Sequence, residues 1–160
     1  MRKTTLLAII LSAMVSACSS IDCPLNNRVY TRYKLDGLVT KLSDTLTIST
    51  MRTIDGSDTV LINLQVNTDS FELPMSYNAD KDVFYFETKD TLGGRYMDTV
   101  AVSKTNEPHF EAVDCNANYF HTITAIDYTT NGIDSIKINN NKVSYDSQKP
   151  HFIIYFKPHY

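Results

Sequence analysis

The chain has 160 residues, of which 42% are hydrophobic and 21% are charged, and its formal net charge is −3. This length suits a single domain, and the apolar fraction can fill a packed core, which excludes a disordered or collagen-like chain. The excess of acidic residues provides no clustered cations for phosphate groups, so we expect no nucleic-acid binding. Beyond the N-terminus, no apolar run is long enough for a membrane-spanning helix.

The first 18 residues have the order of a bacterial export signal. Arg2 and Lys3 precede an apolar run over residues 6–15, which is too short to span a bilayer and is typical of a secretory signal. Residues 15–18 (VSAC) resemble a lipobox, in which Cys18 carries the lipid and begins the mature chain. The alternative is an ordinary signal peptide that is cut elsewhere, with Cys18 incidental.

These features predict three segments. Residues 1–17 form a lipoprotein signal peptide, residues 18–27 contain the lipidated Cys18 and a short tether, and residues 28–160 form one domain. Removing the two basic residues of the signal from a total of 15 leaves 13 against 18 acidic residues, a net charge of −5. An acidic domain is mildly repelled by an anionic membrane, so the acyl chains, at about 0.8 kcal/mol per buried CH₂, would hold the protein there.

Two cysteines remain after cleavage, Cys23 and Cys115. An exported protein meets an oxidising environment, which favours a disulfide between them, and we expect Cys115 to share the face of Val113 on a strand. The closed loop of about 90 residues would contribute roughly 4–5 kcal/mol of stability through chain entropy. The alternative is a pair of free buried thiols. No CxxC motif is present, so a thiol oxidoreductase is not expected.

The spacing of the first two mature cysteines limits the distance to the membrane. Four residues separate Cys18 from Cys23, and the five chain steps between them reach about 17 Å at full extension. If Cys23 is bonded to Cys115, the domain lies close to the bilayer surface. Any partner or ligand would then be met near the membrane.

The rest of the chain shows the period-two alternation of β-strands nearly throughout. In the first run, Val29, Thr31, Tyr33 and Leu35 are expected to face the core. Further strands are expected over residues 45–49, 60–66, 69–75, 82–88, 97–103, 109–115, 119–129, 133–139 and 152–156.

The second and third runs are expected to form a hairpin. A three-residue loop over 54–56, with glycine left-handed at its last position, pairs Ile48 with Ile62 and Leu46 with Leu64. A two-residue loop would instead place apolar residues opposite polar ones.

The same register has two further consequences. Arg52 is expected opposite Asp58, and the even-numbered apolar residues of the run 60–66 are expected on the buried face.

A second hairpin is expected at the Asn-Gly turn of residues 131–132. A two-residue turn there places Ile123 and Ala125 on one face with Ile136 and Ile138. Roughly nine or ten short strands with no helical stripe predict an all-β protein, an antiparallel β-sandwich of immunoglobulin-like type.

Catalytic and metal-binding motifs are absent from the sequence. The four histidines, His109, His121, His151 and His159, have no metal-ligand spacing with one another. His121 is expected to face inwards as a structural residue, and His159 to be exposed. No nucleophile elbow, P-loop or dinucleotide turn is present either. We therefore expect no enzyme, no cofactor and no metal, although a triad built from distant residues would escape such patterns.

Residues 78–82 (NADKD) resemble the start of an EF-hand loop. Val83 stands where the loop needs glycine and Lys89 where it needs glutamate, so a solvated turn is expected instead. Other acidic residues are also expected at turns or on wet faces, namely Asp55, Asp58, Asp134 and Asp146.

Aromatic residues are plentiful, with ten tyrosines, seven phenylalanines and no tryptophan. An aromatic surface could stack on sugar rings or anchor a protein interface. The alternative is that tyrosine fills half-buried strand positions, for which it has a high propensity. The candidate binding residues are Tyr30, Tyr85, Tyr96, Tyr119, Tyr128 and Tyr155.

Several stretches carry a family resemblance. Residues 18–27 (CSSIDCPLNN) precede a Tyr-rich first strand, 114–115 (DC) are followed by 118–120 (NYF), and residues 152–156 form a closing apolar strand. Together they resemble a family of small uncharacterised lipoproteins from Bacteroidetes, a domain of unknown function. The resemblance implies a location and no activity. Only Asp22 is acidic just after the lipid cysteine, which implies the periplasmic face of the outer membrane rather than the cell surface.

These observations favour a non-catalytic, lipid-anchored envelope protein that binds another envelope protein through a free strand edge, with an outer-membrane protein as the partner type. The alternative is a β-sandwich that binds glycans or small ligands. A hydrolase is a third possibility and requires Ser or Asp near His109, His121 or His151 in a cleft.

Overall fold

Ten β-strands account for the regular structure of the described residues. The computed structural model describes residues 23, 28–51, 56–145 and 148–158, and within them the chain contains no helix. In chain order the strands are β1 (Tyr30–Leu35), β2 (Thr45–Met51), β3 (Asp58–Gln65), β4 (Ser70–Pro74), β5 (Lys81–Lys89), β6 (Arg95–His109), β7 (Asn118–Tyr128), β8 (Ile133–Ile138), β9 (Lys142–Val143) and β10 (Phe152–Phe156).

The strands form two sheets packed face to face. One sheet has the order β4-β1-β10-β8 and the other the order β3-β2-β5-β6-β7-β9. All pairings of the six-stranded sheet are antiparallel, whereas β1 and β10 pair in parallel in the four-stranded sheet. The predicted all-β sandwich is confirmed, with this parallel pair as an addition to the antiparallel arrangement. Its immunoglobulin-like type stays a prediction.

The core follows the alternation predicted for β1, since Val29, Thr31, Tyr33 and Leu35 are all buried. The ring of Tyr33 stacks on Phe152 of β10 at 4.6 Å between centroids and meets the edge of Phe86, which belongs to the other sheet. Fully burying one such side chain contributes about 1.5–3 kcal/mol. Aromatic contacts of this kind hold the two sheets together.

The β2–β3 pairing is partly as predicted. Ile48 lies opposite Ile62, which confirms that pair, but Leu46 faces Gln65 rather than Leu64. The register shifts on both sides of Ile48, and Leu64 has a positive φ of 49°. An extra residue in one strand displaces every later pair, so the regular register expected from the sequence is wrong beyond Ile62.

The other end of this hairpin also differs from expectation. Asp58 lies opposite Met51, not Arg52, because the register has already shifted by one residue. Gly56 has the predicted left-handed conformation, with φ of 68°. Residues 52–55, which include Arg52 and the first two positions of the predicted loop, lie outside the described residues.

Burial of β3 is less than predicted. Val60 is 54% exposed and Leu64 58% exposed, and Val66 is exposed as well. β3 is the edge strand of the wider sheet, so the four-stranded sheet covers it only in part. Of the predicted buried face, only Ile62 packs partly against the core.

A single long strand replaces two predicted ones. β6 continues to His109 because β7 pairs with it along residues 100–109. Residues 110–117 lie outside any strand, so the strand predicted over 109–115 is wrong. Val113 is fully exposed while Cys115 is buried, and the two residues therefore share no face.

The predicted hairpin between β7 and β8 is also wrong. β7 pairs with β6 and β9, whereas β8 pairs with β10 in the other sheet. The Asn-Gly turn therefore leads the chain from one sheet to the other. Ile123 and Ile136 are buried as expected, but Ala125 and Ile138 are exposed.

Candidate functional site

An open groove of about 720 Å³ lies beside the start of β5. The segment after β4 forms one wall, and the end of β2 and the start of β3 form the other. The apolar part of the lining includes Met51, Leu61, Met75, Tyr77 and Tyr85. Charged side chains at the groove are Arg28, Lys81 and Asp82. A volume and mixed lining of this kind fall within the range of small-ligand sites.

A buried lysine lies behind this groove. The side chain of Lys104 on β6 has no exposed surface. Its Nζ donates to the carbonyl oxygens of Ser76 at 2.5 Å and Ala79 at 2.6 Å, and to Oδ1 of Asn106 at 2.7 Å. These acceptors satisfy the ammonium group, which would otherwise be costly to bury.

Asp82 supplies the opposite charge. Its Oδ2 lies 3.7 Å from Nζ of Lys104, and its Oδ1 accepts from the hydroxyl of Ser76 at 2.5 Å. Burial raises the pKa of Asp82, against the effect of Ser76 and Lys104, and burial likewise lowers the pKa of Lys104. The pair fixes the segment after β4 against β5 and β6 and so shapes one wall of the groove.

The sequence predicted a solvated turn over residues 78–82. The structure shows that this turn is only partly solvated. An ammonium group lies among the oxygen atoms of this turn, and Asp82 is largely buried on β5. Sequence reasoning missed Lys104, although it continues the buried alternation of Val100 and Val102.

His121 extends the same polar cluster. Its ring is buried, and Nδ1 lies 2.8 Å from Oδ1 of Asn106, which also accepts from Lys104. The pKa of His121 is lowered to about 4, mainly by burial of the ring and secondly by the charge of Lys104. The ring is neutral at physiological pH and its environment is that of a structural residue, as predicted.

The remaining histidines have separate surroundings. His151 is buried, and its Nδ1 accepts a hydrogen bond from the backbone N–H of Arg32 at 2.9 Å. His109 lies at the surface, with Nε2 3.2 Å from a carboxylate oxygen of Glu111. His159 lies outside the described residues. In the described parts of the chain, no three His, Cys, Asp or Glu residues are grouped to hold a metal ion.

Cys23 and Cys115 form a disulfide across 92 residues of sequence, with their Cα atoms 5.5 Å apart. The predicted pairing is therefore present, and the alternative of two free thiols is not. Cys18 lies outside the described residues.

Aromatic side chains surround the start of the segment that carries Cys115. The ring of His109 stacks on Phe120 at 4.4 Å, and Tyr145 contacts the ring of Phe120 edge-on at 5.0 Å. The Tyr145 hydroxyl also accepts a hydrogen bond from the side-chain amide of Asn118. This end of the sandwich is therefore rich in rings.

The candidate tyrosines do not form one surface. Tyr30 and Tyr155 lie on the outer face of the four-stranded sheet, where Lys137 covers the ring of Tyr155. Tyr85 lies between buried Phe84 and Phe86 and so faces outward from the other sheet, at the groove.

The other three candidates lie on β6 and β7. Tyr119 stacks on Tyr77 of the groove wall at 5.8 Å, and Tyr128 packs against the core. Tyr96 lies beside the turn between β7 and β8, close to Gly132. Of the six candidate tyrosines, only Tyr85 lines the groove itself. The tyrosine pattern therefore did not predict the groove.

The acidic residues singled out in the sequence are spread over the molecule. Asp58 and Asp134 are exposed, as expected, and Asp55 and Asp146 lie outside the described residues. Among the described residues, no helical segment has the length and apolar character that a membrane crossing requires.

The fold and these sites define a disulfide-bonded, two-sheet β-protein with an open groove at one end. The chain belongs to DUF6452, a family of unknown function, whose model matches residues 45–156. No curated protein and no solved structure matches the chain. Neither the family nor any relative points to a catalytic activity.

Proposed function

We propose that this protein is a non-catalytic lipoprotein of the bacterial cell envelope, of Bacteroidetes type, anchored by Cys18 to the periplasmic face of the outer membrane. Its role is that of an accessory module, and it binds an extended segment of another outer-membrane or periplasmic protein along β3. The export signal and the lipobox-like residues 15–18 support the anchoring.

The observation that carries the binding proposal is the apolar edge of β3, which has no described strand on its outer side although β3 bulges on both sides of Ile62. Among described strands, β3 pairs with β2 alone. Its sequence, DTVLINLQ, contains a single charge, Asp58, at its first position. Proteins usually blunt such an edge with charged residues, proline or β-bulges, because it presents unpaired N–H and C=O groups to any extended chain. β3 has bulges but contains no lysine, arginine or proline. An exposed apolar edge is suited to pairing with a partner strand.

Side chains along this edge fit the same role. Val60 and Leu64 point into solvent from β3, and the exposed Met51 lies opposite Asp58. A partner strand would cover these side chains and gain main-chain hydrogen bonds at once. Three exposed apolar side chains on and beside the edge strand are otherwise unfavourable on a surface that faces water.

Crosslinking in intact cells, followed by mild detergent extraction and mass spectrometry, tests this proposal. We expect a stoichiometric envelope partner with the native chain and loss of that partner with the double variant Val60→Lys, Leu64→Lys. Leu38→Lys is the matched control, since Leu38 is exposed but lies on the connection between β1 and β2. A lone monomer in native membranes, or a partner retained by the β3 variant, contradicts the proposal.

A second candidate function is the binding of a glycan or another small ligand, favoured by the groove with Tyr77 and Tyr85 in its lining. Aromatic rings there could stack on a sugar. A glycan array with the native protein should then show binding that Tyr85→Ala removes and Tyr155→Ala, outside the groove, leaves intact. Absence of binding to every glycan would rule out the sugar version.

A further inference from the structure

We infer that the segment over residues 110–117, here called the disulfide loop, lies in the membrane interface, with Phe110 and Val113 inserted at the boundary of headgroups and acyl chains. This inference rests on the proposed anchoring at Cys18. It adds the face of the protein that meets the lipid and the chemistry of that lipid.

The first support is the length of chain between the anchor and the loop. Cys115 of the disulfide loop is bonded to Cys23 with 5.5 Å between their Cα atoms. At full extension, the five steps from Cys18 to Cys23 span about 17 Å. The Cα atom of Cys115 therefore lies within about 23 Å of the Cα atom of the lipidated residue. The anchor thus keeps this loop near the bilayer.

The opposite end of the sandwich is much farther away. β6 runs for 15 residues from Arg95 to His109, immediately before the disulfide loop. At about 3.3 Å per residue, this strand separates the loop from the β5–β6 turn by roughly 46 Å. Leu92 in that turn is 84% exposed and so provides an apolar comparison at the far end.

The second support is the surface of the loop. Phe110 is 62% exposed and Val113 is fully exposed, three residues apart in a segment outside any strand. Tyr145, exposed beside His109 and Phe120, adds a ring with a polar tip at the same end. Aromatic rings with a polar end are favoured at the membrane–water boundary, and exposed apolar side chains gain by leaving water there.

Charge selects the kind of lipid. The disulfide loop contains Glu111 and Asp114 but no lysine or arginine, and the mature chain is acidic. Anionic headgroups would repel it, whereas the ammonium group of phosphatidylethanolamine can pair with the two carboxylates. The lipid surface is therefore one whose headgroups carry an ammonium group and little net negative charge.

The absence of tryptophan from the chain makes a direct test possible. Full-length lipidated protein carrying Phe110→Trp or Val113→Trp is reconstituted into phosphatidylethanolamine–phosphatidylcholine vesicles with brominated acyl chains. Leu92→Trp is the matched control at the far end. We expect the tryptophan emission at positions 110 and 113 to shift to the blue and to fall at least twofold with brominated lipid, while that of the control is unchanged. Val113 is fully exposed, so its variant carries no risk to folding.

The outcomes separate this inference from the anchoring on which it rests. If the protein sediments with the vesicles and carries the lipid mass, yet positions 110 and 113 are quenched no more than position 92, the inference is wrong and the anchoring stands. If the protein carries no lipid and does not sediment, the anchoring itself fails and the inference with it. Equal quenching in vesicles rich in phosphatidylglycerol would overturn the choice of headgroup.

Discussion

The buried carboxylate of Asp98 holds the turn between β7 and β8. Its Oδ1 accepts from the hydroxyl of Thr129 at 2.7 Å and from the N–H of Asn131 at 2.6 Å. Its Oδ2 accepts from the N–H groups of Gly132 and Ile133. One side chain on β6 thus satisfies three backbone donors at the point where the chain leaves one sheet for the other. This explains why no hairpin forms there.

Replacing Asp98 with Asn should destabilise the fold by about 3 kcal/mol. The new amide would keep its oxygen towards the N–H groups of Gly132 and Ile133 and direct a hydrogen atom at the N–H of Asn131, which is then left unpaired. Urea denaturation measures the change, with Asp134→Asn as the control because Asp134 is exposed on β8. The free energy of unfolding of the control should change by less than about 0.5 kcal/mol. Equal midpoints for the two variants would contradict this role of Asp98.

A buried neutral histidine makes stability depend on pH. The pKa of His121 falls from 6.5 to about 4 on folding, mainly because of burial. Below pH 6.5 the unfolded chain binds a proton that the folded chain does not bind until about pH 4. The contribution of His121 to stability is therefore complete above pH 6.5 and is lost as pH falls towards 4.

The variant His121→Gln should lose less stability than the native protein between pH 7 and pH 4. Its amide can still reach Asn106 but binds no proton in this range. Urea midpoints at several pH values provide the measurement, with His109→Gln as a surface control. Some dependence of stability on pH should remain in the variant because of His151, whose pKa is also lowered by burial. An unchanged slope in the His121 variant would be evidence against this assignment.

At the scale of single residues, the sequence predicted the position of His121 but not that of Lys104. Alternation along β6 places Lys104 on the buried face with Val102. Its acceptors at Ser76 and Ala79 are 25 or more residues away in sequence, and only the folded chain brings them to the ammonium group. A lysine is rarely buried without such partners, so alternation alone gave no reason to expect it.

At the scale of strands, alternation specifies which face is buried but not which strand is the neighbour. The pair Ile48–Ile62 was predicted because the chain between the two strands is short. The pairing of β8 with β10, and of β1 with β10 in parallel, joins segments far apart in sequence. The local pattern at residues 131–132 fits a hairpin equally well, and the hydrogen bonds of Asp98 decide against it.

The disulfide contributes at the same scale because it closes a loop over most of the domain. The double variant Cys23→Ala, Cys115→Ala should be less stable by about 4–5 kcal/mol, since the unfolded chain gains the entropy that the loop removed. Urea denaturation of the variant, compared with the oxidised native protein, measures this change. The reduced native protein is the control and should behave like the variant. A loss below about 1 kcal/mol would show that the crosslink does not limit the unfolded chain in this way.

At the scale of the whole molecule, the proposed anchor at Cys18 and the fold would act together. The family match over residues 45–156 includes β2 to β10 and begins after β1. If Cys18 is the anchor, a tether of about 17 Å holds the disulfide loop near the bilayer, while β6 places the opposite end of the sandwich roughly 46 Å from that loop.

Replacing Cys18 with Ala should move the protein from the membrane fraction to the soluble fraction, because no acyl chains would then be attached. Fractionation of cells and detection of the protein in each fraction provide the measurement. The control is Cys23→Ala, Cys115→Ala, which removes the disulfide and leaves Cys18 available for lipid. Retention of the Cys18 variant in the membrane would refute the lipobox.

By itself, the sequence determined the class of fold, the buried face of β1, the identity of the disulfide partners and the structural setting of His121. These follow from local alternation within single strands and, for the disulfide, from the two cysteines that remain when Cys18 is reserved for lipid. The tertiary structure alone decided the two-sheet order, the long β6, the exposed edge of β3 and the groove beside Lys104 and Asp82. Each of these depends on contacts between residues distant in sequence, and the free energy of such contacts exists only once both sheets are packed.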